Sequence, residues 1–445
     1  MVSRRSTLKA SLAGIAGLSL PRLLEARAPG PPSPGSGKSI SSSKSVILLW
    51  MAGGPSQIDI WDPKPERPRE NRGPFSTIPT KIPGVRVCEH IPKQAALMDR
   101  LTIIRSMDPR GSNHQPNQVW QTGHREAAPR VNPRGDKYPA IGSVVGKHAP
   151  GRDRSLPQYV ALNVLDRTHF AWGGYLGQHH DPFVADRTKK LFDLPHGLTL
   201  ERLRARKTLL GQFDGLRRDL DLAGSMASFD RFQQQAIELI AGRRIRDVLD
   251  LGQEPEHVRE RFGEHDWAQK ALLARRLVEA GVGFVTIDLS NHRSSGTWDN
   301  HGDNIPPYGG ISRGLKPLLP VFDHVFTTLV TDLEERGLLD DTLVLAMGEF
   351  GRTPILGTQG STDGRNHWPL VMSMVLAGGG FRHGQVIGAS TADGGAIKDR
   401  PVTPGDLAAT IYHHMGVPLD LTYEDPSGRP HLIVQENGQP LRELI

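Results

Sequence analysis

The chain has 445 residues, of which 37% are hydrophobic and 23% charged, with 49 glycines and 35 prolines. This composition is typical of a globular protein rich in turns, and no apolar run reaches the roughly 18 residues that a membrane-spanning helix needs. The formal net charge is +6, but five of the 54 basic residues and one of the 48 acidic residues lie in residues 1–28, so the rest of the chain carries only +2. The charge therefore excludes nucleic acid as the expected partner.

The first 28 residues resemble a twin-arginine export signal. Paired arginines at 4–5 are followed by an apolar residue and a lysine, then by the apolar stretch ASLAGIAGLSL (10–20) and a small-x-small cleavage site at 26–28. A frayed basic terminus is the alternative. We predict export to the periplasm or cell exterior, by a pathway whose substrates typically cross the membrane folded, many of them with a metal or cofactor loaded.

Residues 29–44, PGPPSPGSGKSISSSK, predict a disordered linker. From Ser45 onward, short apolar runs bounded by turn residues predict buried strands, which are expected at 45–52, 101–106, 158–164, 283–290, 341–350 and 370–380. Patterns with helical spacing fall between several of these runs, at 266–281, 317–337 and 403–416, and each ends in glycine. This alternation predicts an α/β fold over residues 45–445, with a mainly parallel central sheet and helices on both of its faces.

Residues 199–262 differ from the rest, because two long, highly charged amphipathic patterns follow one another there. We predict a helical insertion or cap on the sheet domain, and its surface could receive a protein partner. The single cysteine, Cys88, can form no intrachain disulfide. His413 and His414 lie in a predicted helix, where packing or surface exposure is expected rather than metal ligation.

Polar clusters follow the predicted strands, where ligands bind in open parallel sheets. Ser56 and Asp59 come after the first strand, His114 after the second, Asp299 and His301 beyond the strand at 283–290, and Glu349 and Arg352 after the strand at 341–348. The segment DGRNHWP (363–369), which contains His367, directly precedes the last strand. These clusters could converge on one edge of the sheet.

Carboxylates and imidazoles that converge from separate loops suit a divalent cation such as zinc or manganese, whereas calcium prefers oxygen ligands alone. In TWDNHGDN (297–304), Asp299 and His301 lie two residues apart, so in an extended loop both side chains point to the same side. A plain polar turn is the alternative for each residue taken alone. Trp298 could stack on a substrate, although holding a loop in place is the commoner use of tryptophan.

Two further residues could act on an ester. The planar guanidinium of Arg352 can bind a phosphate, sulfate or carboxylate through two hydrogen bonds, or it forms a surface ion pair. Ser56 follows Gly-Gly-Pro, a turn that can expose its hydroxyl as a metal-activated nucleophile, or it serves as a helix cap.

The motifs MAGGPSQIDIWDPKP (51–65), WDNHGDN (298–304), RGLLDDTLVLAMGEFGRTP (336–354), GRNHWP (364–369) and GRP (428–430) resemble the bacterial family known as domain of unknown function 1501. The resemblance extends over nearly the whole chain from Ser45. That family is similar, more distantly, to the alkaline phosphatase and sulfatase-like superfamily. The resemblance implies an α/β sheet with one or two metals at the strand ends and a Ser, Thr or Cys nucleophile that cleaves phosphate or sulfate esters.

Carried over position by position, the resemblance implies that Ser56 with Asp59 or Asp62 supplies the first acid and nucleophile. Asp299 and His301 match the middle loop, Glu349 the strand-end acid and His367 the late histidine. The chain departs from the superfamily at three points. Gly53-Gly54 stand where an acid usually follows the first strand, Phe350 stands where a histidine follows the strand-end acid, and Cys88 lacks the C-x-P-x-R context of sulfatases. These departures predict one metal or none rather than two.

The sequence thus predicts an exported, metal-dependent hydrolase of phosphate or sulfate esters. Ser56, His114 and Arg352 are the candidate catalytic residues, and the candidate metal ligands are Asp59, Asp299, His301, Glu349 and His367. The alternative is a catalytically silent exported protein that uses the same pocket to bind a glycan, a peptide or a protein. The two absent superfamily residues favour this alternative, whereas the retained Asp, His, Glu and Arg cluster favours the enzyme.

Overall fold

The structure is a computed structural model, and it describes residues 44–112, 118–130, 132–150, 156–185, 243–293, 296–358 and 360–445. Three predictions therefore lie wholly or mostly outside the described residues: the export signal with its linker, His114, and the helical insertion, of which only the part from residue 243 is described. In the described residues no helix is both long enough and apolar enough to cross a bilayer.

The described chain is organised around one eight-stranded sheet and four small two-stranded sheets. Their strands are β1 (Ser45–Trp50), β2 (Thr77–Pro79), β3 (Arg86–Cys88), β4 (Leu101–Met107), β5 (Tyr159–Leu162), β6 (Phe183–Val184), β7 (Phe284–Asp288), β8 (Thr342–Met347), β9 (Gly351–Arg352), β10 (His367–Trp368), β11 (Met372–Gly378), β12 (Gln385–Ile387), β13 (Ala389–Ser390), β14 (Ile397–Asp399), β15 (Thr422–Glu424) and β16 (Pro430–Leu432). The strand order in the large sheet is β12-β4-β11-β8-β1-β7-β5-β6.

The helices of the described chain are α1 (Arg69–Arg72), α2 (Pro92–Ala96), α3 (Val119–Thr122), α4 (Ile141–His148), α5 (Arg243–Leu249), α6 (Glu256–Phe262), α7 (Asp266–Glu279), α8 (Lys316–Glu335) and α9 (Pro404–Met415). Short 3₁₀ turns occur at Met98–Arg100, Gly135–Lys137, Arg167–His169, Gly174–Leu176, Gln178–His180 and Leu251–Gln253, and a π-helical turn, Gly310–Leu315, leads into α8. The three helices predicted after residue 262 correspond to α7, α8 and α9.

β1 lies in the interior of the large sheet, and its side chains pack against helices on both faces of the sheet. It pairs in parallel with β7 on one side and β8 on the other, and all six of its residues are buried. Alternate side chains of a strand point to opposite faces. Ile47 and Leu49 pack on the same side as α7 and α8, whereas Leu48 and Trp50 pack with α4 and α9. The predicted α/β architecture with helices on both faces is confirmed.

One strand of the large sheet, β11, runs against the others. It is antiparallel to both β4 and β8, while the remaining pairings are parallel. The segment that precedes β11 therefore lies at the edge where the parallel strands end. This reversal is why His367, which comes before its strand, meets residues that come after theirs.

The two adjacent histidines of α9 have opposite environments. His413 is exposed, whereas His414 is 5% exposed and its Nε2–H donates to the backbone oxygen of Ser45, 2.9 Å away at the start of β1. Burial lowers the pKa of His414 to about 4. The folded state therefore favours the neutral ring.

Acid should destabilise the protein through His414. Because the pKa in the folded state lies below the ordinary value of 6.5, the stabilisation is complete above about pH 6.5 and is lost as the pH falls towards 4. Between pH 7 and 4.5, the free energy of unfolding should fall by about 2 kcal/mol less in His414→Gln than in the wild type. His413→Gln is the matched control. Urea denaturation at both pH values measures the difference, and identical losses in all three proteins would contradict the assignment.

Candidate metal centre

Asp299, His301 and His367 converge at the carboxyl edge of the large sheet. One ligand atom from each residue lies within 4.8 Å of the others. The Nδ1 atom of His301 is 2.6 Å from Oδ1 of Asp299, and Nε2 of His367 is 3.5 Å from the same oxygen. The Asp299 side chain is fully buried, whereas the imidazoles are 15% and 30% exposed. Among the described residues, these three are the one set of three or more acids, histidines or cysteines with such convergence.

The loop that carries Asp299 and His301 is fixed from both sides. Trp298 is fully buried, its ring stacks on Trp267 at a centroid distance of 5.7 Å, and its indole N–H donates to the backbone oxygen of Leu289. The backbone N–H of Trp298 donates to the backbone oxygen of Ala52, just beyond β1. Trp298 therefore holds the loop in place, as its commoner use predicts.

Arg352 lies behind Asp299 and is fully buried. Its Nη2 donates to Oδ1 of Asp299 at 2.7 Å and to the backbone oxygen of Gly53, while Nε donates to the backbone oxygen of Gly54 and Nη1 to that of Arg365. Each guanidinium nitrogen thus has a partner within the chain. In this structure Arg352 orients Asp299, and the predicted contact of its guanidinium with a substrate anion stays a prediction.

Glu349 follows β8 and accepts hydrogen bonds from the backbone N–H of Gly53, at 2.9 Å to Oε1 and 3.1 Å to Oε2. Burial raises the pKa of Glu349 to about 7, although the Gly53 hydrogen bond and the positive charges of His169 and Arg352 act in the opposite direction. Glu349 is not one of the three residues whose ligand atoms converge. Its predicted role as a ligand stays a prediction.

Ser56 and Asp59 belong to a separate buried cluster. The hydroxyl of Ser56 donates to Oδ2 of Asp59 at 2.5 Å, and Nε of Arg365 donates to the same oxygen at 2.6 Å. The remaining donors of Arg365 bind the backbone oxygens of Thr353, Pro354 and Asn71, and Nη2 also approaches Oδ1 of Asp59. The structure therefore brings Ser56 and Asp59 together with each other but does not group Asp59 with the three converging residues. Their catalytic and metal-binding roles stay predictions.

The sequence interpretation missed a buried histidine–aspartate pair. Nδ1 of His169 is 2.6 Å from Oδ2 of Asp288, whose other oxygen accepts a hydrogen bond from Ser290. Burial would lower the pKa of His169, but the hydrogen bond and charge of Asp288, with the charge of Glu349, outweigh it and raise that pKa. Asp288 ends β7 and His169 follows β5, so the strand-end argument that selected the other candidates also covers this pair.

Gly53 stands at the position where the sequence resemblance implies an acid, and the structure provides a steric reason for a glycine there. Gly53 adopts φ +118°, and a Cβ atom there would lie 2.3 Å from the backbone nitrogen of Asp299. The turn after β1 and the loop at 298–299 therefore touch backbone to backbone. A side chain at position 53 would separate Asp299 from Arg352 and Glu349 from its hydrogen-bond donor.

The fold and the site define an α/β protein with a carboxylate–imidazole cluster at the carboxyl edge of a mainly parallel sheet. The chain matches the family described as protein of unknown function (DUF1501) over residues 43–445, and it belongs to that family. The membership predicted from the motifs is confirmed. No curated protein matches the chain at a significant level.

Several solved structures resemble the described fold at low identity. The PsFucS1 sulfatase from Pseudoalteromonas sp. is 15% identical with a TM-score of 0.39, over 90% of this chain and 74% of that chain. A phosphonate monoester hydrolase from Silicibacter pomeroyi is 12% identical with a TM-score of 0.38, over 90% and 76%. The C-terminal periplasmic domain of EcEptC from Escherichia coli, in complex with zinc, is 11% identical with a TM-score of 0.37, over 94% and 96%. Likeness at this level supports no inference about activity. Any inference about function therefore rests on the side chains of the site.

Replacing Gly53 should disturb the centre more than a positive φ angle alone would. Gly53→Ala should lower the free energy of unfolding by about 3 kcal/mol or more, since a clash with the Asp299 backbone adds to backbone strain. Gly337→Ala is the control, because Gly337 has φ +68° and a Cβ there would meet no atom within 4 Å. It should lose only about 1 kcal/mol. Equal losses in guanidinium chloride titrations would show that the close contact is unimportant.

Proposed function

We propose that the protein is a divalent-metal-dependent hydrolase of phosphate or sulfate esters that acts outside the cytoplasm. The observation that carries the proposal is the convergence of Asp299, His301 and His367, with the carboxylate buried and the two imidazoles partly open to solvent. The export part rests on the twin-arginine-like leader in residues 1–28.

The three residues fit a zinc or manganese ion. One carboxylate and two imidazoles form the three-ligand set of many catalytic zinc sites, which keep a further position for water or substrate. Arg352 holds the oxygen of Asp299 that faces both histidines, and such outer partners orient metal ligands. Calcium would prefer oxygen ligands throughout.

A bound zinc or manganese ion would supply Lewis acidity toward an ester oxygen and toward water. The partly exposed edges of His301 and His367 would face the ester, because Asp299 and Arg352 close the opposite side. In this proposal water is the nucleophile rather than Ser56, since the Ser56 hydroxyl is buried and donates to Asp59.

Glu349 would hold the proton that the reaction moves. A carboxyl group with a pKa of about 7 can take up or release a proton near neutral pH, which suits general acid–base catalysis. The pair formed by His169 and Asp288 would stabilise the ionised form of Glu349, because the charge of the imidazolium lowers its pKa. We assign this pair a positioning role.

A binding protein is the second candidate, and one observation favours it. The hydroxyl of Ser56 donates to Asp59 and each guanidinium nitrogen of Arg352 donates within the chain. The pocket would then hold its ligand without cleaving it. A measurement of bound metal separates the hydrolase from the binding protein.

Elemental mass spectrometry of the mature protein, residues 29–445, tests the proposal. We expect close to one equivalent of zinc or manganese. His301→Ala and His367→Ala should weaken metal affinity by about 100-fold or more, since each removes a ligand. His413→Ala, an exposed histidine of α9, should retain the metal.

Glu349→Gln separates metal binding from proton transfer. If Glu349 handles a proton rather than the metal, this variant should keep its metal and lose about 100-fold or more in kcat on p-nitrophenyl phosphate or p-nitrophenyl sulfate. Loss of the metal in Glu349→Gln would instead make Glu349 a ligand. Absence of metal after supplementation with zinc and manganese would overturn the hydrolase and leave the binding protein.

A further inference from the structure

A groove of about 550 Å³ is lined in part by the two loops that carry the candidate metal ligands. Four segments form its walls: α1 with the turn after it, the loop beyond His301, the π-helical turn that leads into α8, and the loop between β9 and β10. Its lining residues are Arg69, Glu70, Pro74, Asp303, Ser312, Arg313, Leu356, Thr362 and Asp363.

The same loops carry the metal-centre residues. Asp303 is two residues beyond His301, and Asp363 is four residues before His367. The two loops are joined where Ser361 and Thr362 donate to the Asp303 carboxylate and where the backbone N–H of Arg365 donates to the backbone oxygen of Asn300. A ligand in the groove would therefore extend from the site where the ester is held.

The acids of the groove are held in place by the chain. Asp303 accepts from the hydroxyl and backbone N–H of Thr362 as well as from Ser361. Asp363 accepts from the backbone N–H and the hydroxyl of Ser312, at 2.7 and 2.9 Å. Both acids are therefore oriented hydrogen-bond acceptors with lone pairs to spare.

The arginines of the groove differ from the acids. Arg69 and Arg313 are exposed, and within the described part of the chain neither guanidinium takes part in a recorded hydrogen bond or ion pair. Two arginines face three carboxylates, so the groove has no excess of positive charge. A highly charged polyanion would therefore bind weakly there, whereas a group that both donates and accepts hydrogen bonds could contact all the polar residues of the lining.

We infer that this groove binds uncharged sugar residues, as the alcohol part of the ester that the metal centre would hydrolyse. A sugar hydroxyl donates to carboxylates and accepts from guanidinium groups, and Pro74 and Leu356, both partly buried, offer apolar surface to the face of a pyranose ring. The inference rests on the proposed function only in placing the ester next to the sugar.

Saturation-transfer NMR with the full mature protein tests the groove without any turnover. The probes are neutral β-linked hexasaccharides of glucose, galactose, mannose and xylose, with a fully sulfated hexasaccharide for comparison. At least one neutral probe should bind, and Arg69→Ala and Arg313→Ala should each raise its Kd by about tenfold or more, as loss of one hydrogen bond to a charged group predicts. Arg429→Ala, an exposed arginine on the β15–β16 hairpin, should leave the Kd unchanged.

Metal content and thermal unfolding are measured on the same samples. Sugar binding that is lost in Arg313→Ala, with metal and melting temperature retained, supports the groove. Sugar binding in a protein that takes up no metal would keep the groove and overturn the proposed hydrolase. Failure of every neutral probe to bind, binding that neither arginine variant weakens, or preference for the sulfated probe would each overturn the inference.

Discussion

The ion pair between Asp299 and Arg352 is the interaction on which the rest of the site depends. Both side chains are fully buried, so their mutual attraction must offset a desolvation penalty of several kcal/mol per ion. Three backbone oxygens from the turn after β1 and from Arg365 complete the hydrogen bonding of the guanidinium. The pair therefore joins the ends of β1, β7 and β8 and fixes the carboxylate that His301 and His367 approach.

Two buried carboxylates at this edge have different chemistry because their partners differ. Asp299 is paired with a fixed cation, whereas Glu349 accepts hydrogen bonds from the backbone N–H of Gly53 and has a pKa of about 7. Since that pKa lies above the ordinary value, ionised Glu349 destabilises the fold, and stability present at low pH is lost as the pH rises through 7. A carboxyl group whose ionisation destabilises the fold in this way is typical of a functional site.

The strand-end clusters could be predicted from the sequence, and so could the sheet with helices on both faces. Continuous apolar runs such as 45–52 and 341–350 are long enough to define buried strands, and polar residues that follow parallel strands must meet at one edge. The grouping within that edge could not be predicted, because it depends on loop paths. Ser56 and Asp59 meet Arg365 instead of the histidines, and His169 reaches Asp288 although more than a hundred residues separate them.

By itself the sequence determined the family, the α/β class and the set of residue types available for chemistry, since these follow from local pattern and composition. Only the tertiary structure decided which of those residues lie together. Hydrogen-bond geometry, burial and the reversal of β11 are set by packing between segments far apart in the chain. For that reason Arg352 donates to the buried oxygen of Asp299, burial raises the pKa of Glu349 to about 7, and His367 lies beside the residues of TWDNHGDN.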